Sequence, residues 1–389
     1  MDNVRFGVIG LGNMGGYHVA HFDQVENATL TAVADTNPAR LAQHASRQDI
    51  KTFERWEDMV ASGLVDAVLI ATPHYSHVPI AEAAFANGLH VLCEKPIAVS
   101  VKAARHLNAV AAKHPNLKFG VMLNLRTTPM YIKLRELIAA GELGEIRRIT
   151  WIVTDIFRTY AYYASGGWRA TWSGEGGGVL INQCPHTLDL IQWITGMRPG
   201  RVIATVAIGK MHPIEVEDDV SAILEYPNGA VGHFITNTAE SPGTNRLEIA
   251  GDRGRIIAEK NKITFTRTRQ DVQEVNRTSQ ETFAQIETWD IDVPFDRTTE
   301  GSHWAITRNF VNAILHDEPL IAPGTDGMYS LELGNAMLMS GVKQTPVDLP
   351  VDGDAYDRLL LDLAKQYGGR KSLAADAVAT TDFSKSFKK

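Results

Sequence analysis

The chain opens on the run RFGVIGLGNMGGYHVA, where a strand-forming stretch meets three glycines spaced G-x-G-x-x-G and passes straight into a helical period. A strand that turns at once into a helix needs a turn free of side chains. Gly10 permits the tight turn, Gly12 lets the backbone approach a pyrophosphate, and Gly15 lets helix and strand pack closely. Amides near Asn13 and Met14 then face the phosphates from the helix N-terminus. The pattern is weak alone, but its context is right: Asp35 stands twenty residues beyond Gly15, at the end of the next strand-like run. Its carboxylate would accept bonds from adenosine ribose hydroxyls and repel a 2′-phosphate, which predicts NAD. Thr36 and Arg40 join the same end of the site; Arg40 could shelter a phosphate, so NADP stays open.

Strand-like runs then alternate with helical periods: LTAVAD, VDAVLIAT, HVLCEKP and LKFGVMLN each follow or precede a helix. That alternation predicts a parallel sheet covered by helices. After Pro129 the texture changes. Long β-rich runs such as IRRITWIVT, RVIATVAIG and RLEIAGDRGRIIAE have no helices between them, and PNG at Pro227 to Gly229 marks a hairpin. These runs predict a second, mostly antiparallel sheet. The expected fold class is therefore α/β plus α+β. Residues 1–124 form a Rossmann dinucleotide-binding domain, and residues 125–389 a substrate-binding and oligomerisation domain with a large, mostly antiparallel open sheet. The polar tail, residues 377–389, is expected to be loose.

Composition narrows the partners. A formal net charge of -7 without a basic run argues against nucleic acid. No stretch approaches the roughly 20 apolar residues of a membrane span, and the N-terminus lacks the features of a signal peptide. With two cysteines, Cys93 and Cys184, a disulfide framework is out and the cytoplasm is the expected compartment. Cys93, Cys184 and His186 are too sparse for a metal cluster, so no metal is expected.

Candidate site residues cluster at predicted strand ends. Thr72 and Pro73 end a central strand, where ligands collect in doubly wound sheets, and His74 and His77 follow. Glu94 and Lys95 end the next strand, which aims the lysine into the crevice. Asn124 and Arg126 follow the last strand of the first domain. Downstream, LINQCPHTLDLIQWITG places Asn182 and His186 four residues apart, on one face of an expected helix. Gly176 to Gly178 precede them, as if to bring backbone near the cofactor. Asp189 is expected to cap or pair locally. Seven aromatics fall between Trp151 and Trp172; of these, Tyr163 and Trp168, with Arg169, are expected to meet the substrate, and Arg158 and Arg169 could donate to hydroxyls or an acid group.

By the glycine fingerprint, the EKP motif and GGGVLINQCPHTLDL, the chain resembles the Gfo/Idh/MocA family of oxidoreductases. The resemblance continues to AITRNFVNAILHDEPL and DGMYSLELGNAM, nearly the whole chain. It implies a Rossmann domain joined to an open-sheet domain that serves oligomer contacts. It also implies NAD- or NADP-dependent oxidation or reduction of a hydroxyl on a sugar, inositol or related polyol. Lys95 and His186 match the family's reaction-site lysine and histidine; the position four before the histidine, often Asp, is Asn182 here. Asn can orient a hydroxyl but cannot take its proton. Imidazole suits a base that accepts the hydroxyl proton near neutral pH. The reading is thus an NAD(P)-dependent dehydrogenase or reductase for a secondary hydroxyl of a sugar, glycoside or cyclitol, working as a dimer or tetramer. His186 is the acid/base, Lys95 orients the reacting oxygen, and Lys95, Arg126, Tyr163, Trp168, Arg169, Asn182 and His186 meet the substrate. Two other readings remain. One is a redox-neutral glycosidase, lyase or epimerase that recycles a tightly held NAD; the other is a non-catalytic dinucleotide sensor.

Overall fold

The structure is a computed structural model, and it describes residues 2–299 and 301–373. The tail at 377–389 lies outside the described residues. Six strands make the first sheet: β1 (Val4–Ile9), β2 (Ala28–Ala34), β3 (Lys51–Phe53), β4 (Ala67–Ile70), β5 (His90–Cys93) and β6 (Phe119–Val121). Their order is β3-β2-β1-β4-β5-β6, and every pair is parallel. Strands such as Ala67–Ile70 are buried at every position, as a sheet covered on both faces requires. The strand order reverses between β1 and β4, which opens a crevice above their C-terminal ends. Gly10 and Thr72 stand at that crevice. The first helix, Asn13–Ala20, stops short of its apolar pattern and gives way to a single tight turn at Phe22–Gln24.

The second sheet has nine strands: β7 (Ile146–Val153), β8 (Arg201–Ile208), β9 (Glu217–Glu225), β10 (Val231–Asn237), β11 (Asn245–Gly251), β12 (Gly254–Glu259), β13 (Lys262–Thr268), β14 (Thr288–Asp292) and β15 (Val347–Asp348). Their order is β14-β13-β12-β11-β7-β10-β9-β8-β15, antiparallel except where β7 meets β10. The hairpin at Pro227 to Gly229 joins β9 to β10, with Gly229 at φ +85°. Val220, Ala222 and Leu224 of β9 point into the core, while Ser221, Ile223 and Glu225 point outward. Helices Pro129–Ala139, Pro185–Thr195 and Gly327–Lys343 pack together on the inner side. The outer face carries Ile203, Ile223 and Val231 beside an Arg148, Glu248, Arg246, Glu259 chain of ion pairs.

The first sheet ends at Val121 and the second begins at Ile146, but the packing joins them. Helix His303–His316 returns to the first sheet, where the Phe310 ring lies 6.2 Å from Phe6. A Cβ at Gly120 would lie 2.9 Å from that Phe310 ring. Buried apolar residues of both sheets therefore form one continuous core.

Gly15 shows how tightly the first turn is built, since a Cβ there would fall 1.7 Å from the Gly10 carbonyl oxygen. Gly16, on the same helix, would meet only the Leu11 carbonyl at 3.9 Å. Gly15→Ala should therefore destabilise the protein by about 1–3 kcal/mol in chemical denaturation. Gly16→Ala should be neutral or stabilising by up to about 1 kcal/mol. Equal tolerance at the two positions would contradict this packing.

Candidate active site

A cleft of about 1700 Å³ runs from the glycine turn across to the second sheet. That exceeds the roughly 300–1000 Å³ of a small-ligand pocket and has room for a dinucleotide and a second molecule. At one end Gly10 takes φ +89°, which only glycine adopts without strain. A Cβ at Gly12 would meet nothing closer than an Arg40 nitrogen at 4.0 Å, so the turn presents open backbone to the cleft. Asn13 and Met14 line it too, whereas Gly15 lies beneath the turn and serves packing only. Asp35 is buried and fixed: Oδ2 accepts from Leu11 N at 2.6 Å and Oδ1 from Asn37 N at 2.8 Å. Arg40 donates to the same carboxylate at 3.2 Å, and Thr36 lines the cleft beside it. Two buried oxygens on the cleft wall, Thr72 Oγ1 and Asn124 Oδ1, have no protein partner among the described residues. The open turn, the fixed carboxylate and these two polar atoms fit a dinucleotide.

Four residues expected at the cofactor sit differently from one another. Pro73 and His74 line the cleft. His74 donates from Nδ1 to the Glu175 carbonyl at 2.9 Å, and burial drives its pKa well below the ordinary histidine value, so the ring is neutral. His77 lines the cleft as well, with both ring nitrogens against backbone carbonyls, Pro96 O at 2.7 Å and Thr72 O at 2.8 Å. It ties two loops together and has no nitrogen left for a ligand. Glu94 reaches the buried His18, 2.8 Å away. Burial alone would raise its carboxyl, but the bond and charge of His18 overcome that and hold it at about 2.

Lys95 extends from the end of β5 and donates to the carbonyl of Asn182 at 2.7 Å. Burial lowers the ammonium's pKa below the ordinary lysine value, Glu94 and Glu175 oppose that shift, and Arg169 and Arg158 reinforce it. The stretch around Asn182 is not the single helix expected. Helix Val179–Asn182 ends, and helix Pro185–Thr195 begins after Gln183 and Cys184. Pro185 starts the second helix because it has no N–H to leave unpaired there. Asn182 and His186 thus belong to two helices, yet both line the cleft. The amide of Asn182 donates to Glu175 Oε1, and its oxygen accepts from the Tyr162 hydroxyl at 3.4 Å. Glu175 is buried, also accepts from Ala170 N at 2.5 Å, and has its pKa raised by burial.

Further corrections concern the glycines, the tyrosine and the arginine. Gly176 and Gly178 do not face the cleft: a Cβ would lie 2.1 Å from Val99 Cγ1 at the first and 2.0 Å from the Glu217 carbonyl at the second. Tyr163 is buried with its hydroxyl on Thr238 Oγ1 at 2.9 Å, and its neighbour Tyr162 faces the cleft instead. Arg126 is no substrate donor. It grips Asp189 at 2.8 and 2.6 Å, Asp326 at 2.8 Å and the Ile321 carbonyl at 3.1 Å, and it does not line the cleft. Asp189 accordingly pairs across 63 residues rather than locally. Trp168 and Arg169 do line the cleft. So do Tyr17, His303 and Trp304, which no short motif flagged. Burial lowers the His303 pKa to about 4.

The chain is similar to known proteins in both halves. Residues 4–122 match the model of an oxidoreductase family with an NAD-binding Rossmann fold, and residues 131–257 match the GFO/IDH/MocA C-terminal domain. The rhizopine catabolism protein MocA of Rhizobium meliloti is 35% identical over 200 residues, 51% of this chain and 59% of that protein. The inositol 2-dehydrogenase of Rubrobacter xylanophilus is 32% identical over 263 residues, 66% of this chain and 71% of that protein. The WlbA dehydrogenase from Bordetella pertussis, solved with NADH and UDP-GlcNAcA, is 26% identical with a TM-score of 0.74, covering 90% of this chain and 100% of that one. With both family domains matched around one cleft, the chain belongs to the Gfo/Idh/MocA family of NAD-binding oxidoreductases.

Proposed function

We propose that the protein is an NAD-dependent dehydrogenase or reductase acting on a secondary hydroxyl of a sugar, glycoside or cyclitol. One observation carries the reading: Lys95 and His186, from different parts of the chain, line the same cleft as the open glycine turn. Relatives named for inositol, levoglucosan and 1,5-anhydro-D-fructose support the substrate class.

NAD bound in the cleft would exchange a hydride with the carbinol carbon. Glycine-turn amides would hold its pyrophosphate and Asp35 its adenosine ribose. Lys95 uses one donor on Asn182, which aims its remaining two N–H bonds from a fixed point. It would polarise the reacting oxygen, and His186 would take the hydroxyl proton in oxidation or return it in reduction. Asn182, held by Glu175 and Tyr162, would orient a substrate hydroxyl. We further propose assembly as a dimer or tetramer through the outer face of the second sheet, where Ile203, Ile223 and Val231 are partly exposed. No helix among the described residues is long and apolar enough to cross a membrane, and a cytoplasmic location is proposed from the two free, buried cysteines.

The direct test is a screen of sugars, glycosides and cyclitols for NADH formation. Turnover of none, with tightly bound NAD in the purified protein, would favour the redox-neutral reading. His186→Ala should cut kcat by about 100- to 10,000-fold with NAD affinity nearly unchanged. Asn182→Ala should mainly raise KM. Near-native turnover of the histidine variant would remove it from the mechanism. Asp35→Ser should erode the preference for NAD over NADP, and a native protein at least about tenfold better with NADP would contradict the role given to its charge. Burial lowers the Lys95 pKa, so kcat/KM should fall on the alkaline side below the ordinary lysine range. Lys95→Arg should remove that limb; a limb unchanged in the variant would assign it to another group. Light scattering at micromolar concentration should give a multiple of the 42.7 kDa chain mass, and a monomer would contradict the assembly.

A further inference from the structure

Two guanidinium groups on the substrate side of the cleft have no carboxylate partner among the described residues. Arg158 and Arg169 both line the cleft, near enough to Lys95 to depress its pKa. Arg126, Arg148 and Arg246 are all paired with carboxylates, by contrast. Arg169 donates from one nitrogen to the Tyr162 hydroxyl at 2.7 Å and stacks over the Tyr162 and Trp168 rings at 4.6 and 4.8 Å. Arg158 stacks over the same Tyr162 ring at 5.1 Å and, among the described residues, donates only to the Phe157 carbonyl at 3.0 Å. One tyrosine ring thus carries two like charges. The Nε of each arginine is buried and without a hydrogen-bond partner among the described residues.

Nearby anions do not balance this. Glu94 acts on Lys95 more strongly than Glu175 does but is spent on His18 and Lys95; Glu175, which also faces Arg169, is engaged by Ala170 N and the Asn182 amide, and burial raises its pKa. Asp155 on the same wall accepts from Asn245 at 3.3 Å. Three cations therefore converge on one space, and two offer unused N–H donors. Half-buried like charges are costly unless an anion joins them. A neutral hydroxyl would satisfy a donor but leave the repulsion in place.

We infer that the substrate is a sugar acid whose carboxylate sits between Arg158 and Arg169, with its reacting hydroxyl toward Lys95 and His186. The inference rests on the dehydrogenase reading above. Guanidinium edges match the planar, two-oxygen carboxylate, and the selection against neutral sugars comes from the cation pair they would leave unmatched.

The test uses the full-length protein loaded with NADH and matched probes of one stereochemistry: methyl glucopyranosiduronic acid, its methyl ester, methyl glucopyranoside and glucose 6-phosphate, with galacto and manno counterparts. Binding is read from nicotinamide fluorescence, so it reports whether or not a probe reacts. At least one acid should bind about tenfold or more tighter than its ester, as expected for charge-assisted bonds. Its affinity should weaken with added salt, and Arg158→Gln should remove the preference while leaving NADH affinity within about twofold. If that variant does not fold, the acid–ester difference and its salt dependence on the native protein decide. Equal binding of acid and ester in all three stereochemical series would overturn the inference. Tighter binding of the sugar phosphate than of every acid would overturn it as well, by giving the site to a phosphate. Acid-selective binding with no NAD reduction by any probe or neutral sugar would leave the anion site standing and count against the dehydrogenase reading instead.

Discussion

The bond from the Lys95 ammonium to the Asn182 carbonyl, 2.7 Å long, is the constraint on which the site depends. It joins the end of a Rossmann strand to the break between two helices of the second half. The amide of Asn182, the turn to Pro185 and the first turn carrying His186 are all placed relative to that carbonyl. Two further ties cross the same boundary: His74 to the Glu175 carbonyl at 2.9 Å and the Tyr75 hydroxyl to the Trp172 carbonyl at 2.9 Å. Backbone carbonyls accept in all three. Each tie thus fixes a side chain of the first half against backbone of the second, which suits chemistry that tolerates little displacement.

Charge is managed differently at the two ends of the cleft. At the dinucleotide end Asp35 is matched by amides and Arg40, and Glu94 by His18. Arg126 and Asp189 sit behind the wall as a buried two-pronged pair that holds helix Pro185–Thr195 to the residues after β6. At the substrate end matching is incomplete. Lys95, Arg158 and Arg169 share one space with a carboxyl whose pKa burial raises. Helix and sheet packing does not need that imbalance, and binding an anion would relieve it.

Much of this is legible in the residues, and the exceptions have physical causes. The alternation of apolar runs and helical periods reports the parallel sheet because its strands are buried on both faces. The glycine spacing reports the turn because a side chain at Gly10 or Gly15 collides with backbone. The break before His186 had a visible signal in Pro185, which disfavours a helical conformation in the residue before it. Tyr162 and Tyr163 exchanged roles because they sit in a five-residue helix, Tyr160–Ala164, too short for its apolar period to define a face. Edge strands β3, β14 and β15 are short and hold no fully buried residue, so they carry no apolar signature. Tyr17, His303 and Trp304 meet at the cleft from opposite ends of the chain, through long-range packing that no local pattern encodes. The acidic Glu175 beside a glycine run is the local signal of a buried carboxyl behind Asn182.

In the proposed reaction Lys95 and His186 act on one oxygen atom of the substrate. A double-mutant cycle of Lys95→Ala and His186→Ala, read in kcat/KM with the sugar that turns over fastest, tests it directly. Groups that serve the same atom in the same transition state are strongly non-additive. The doubly substituted enzyme should then be about as slow as the slower single variant. Losses that multiply across the two substitutions would place the lysine and the histidine on separate groups and contradict the account.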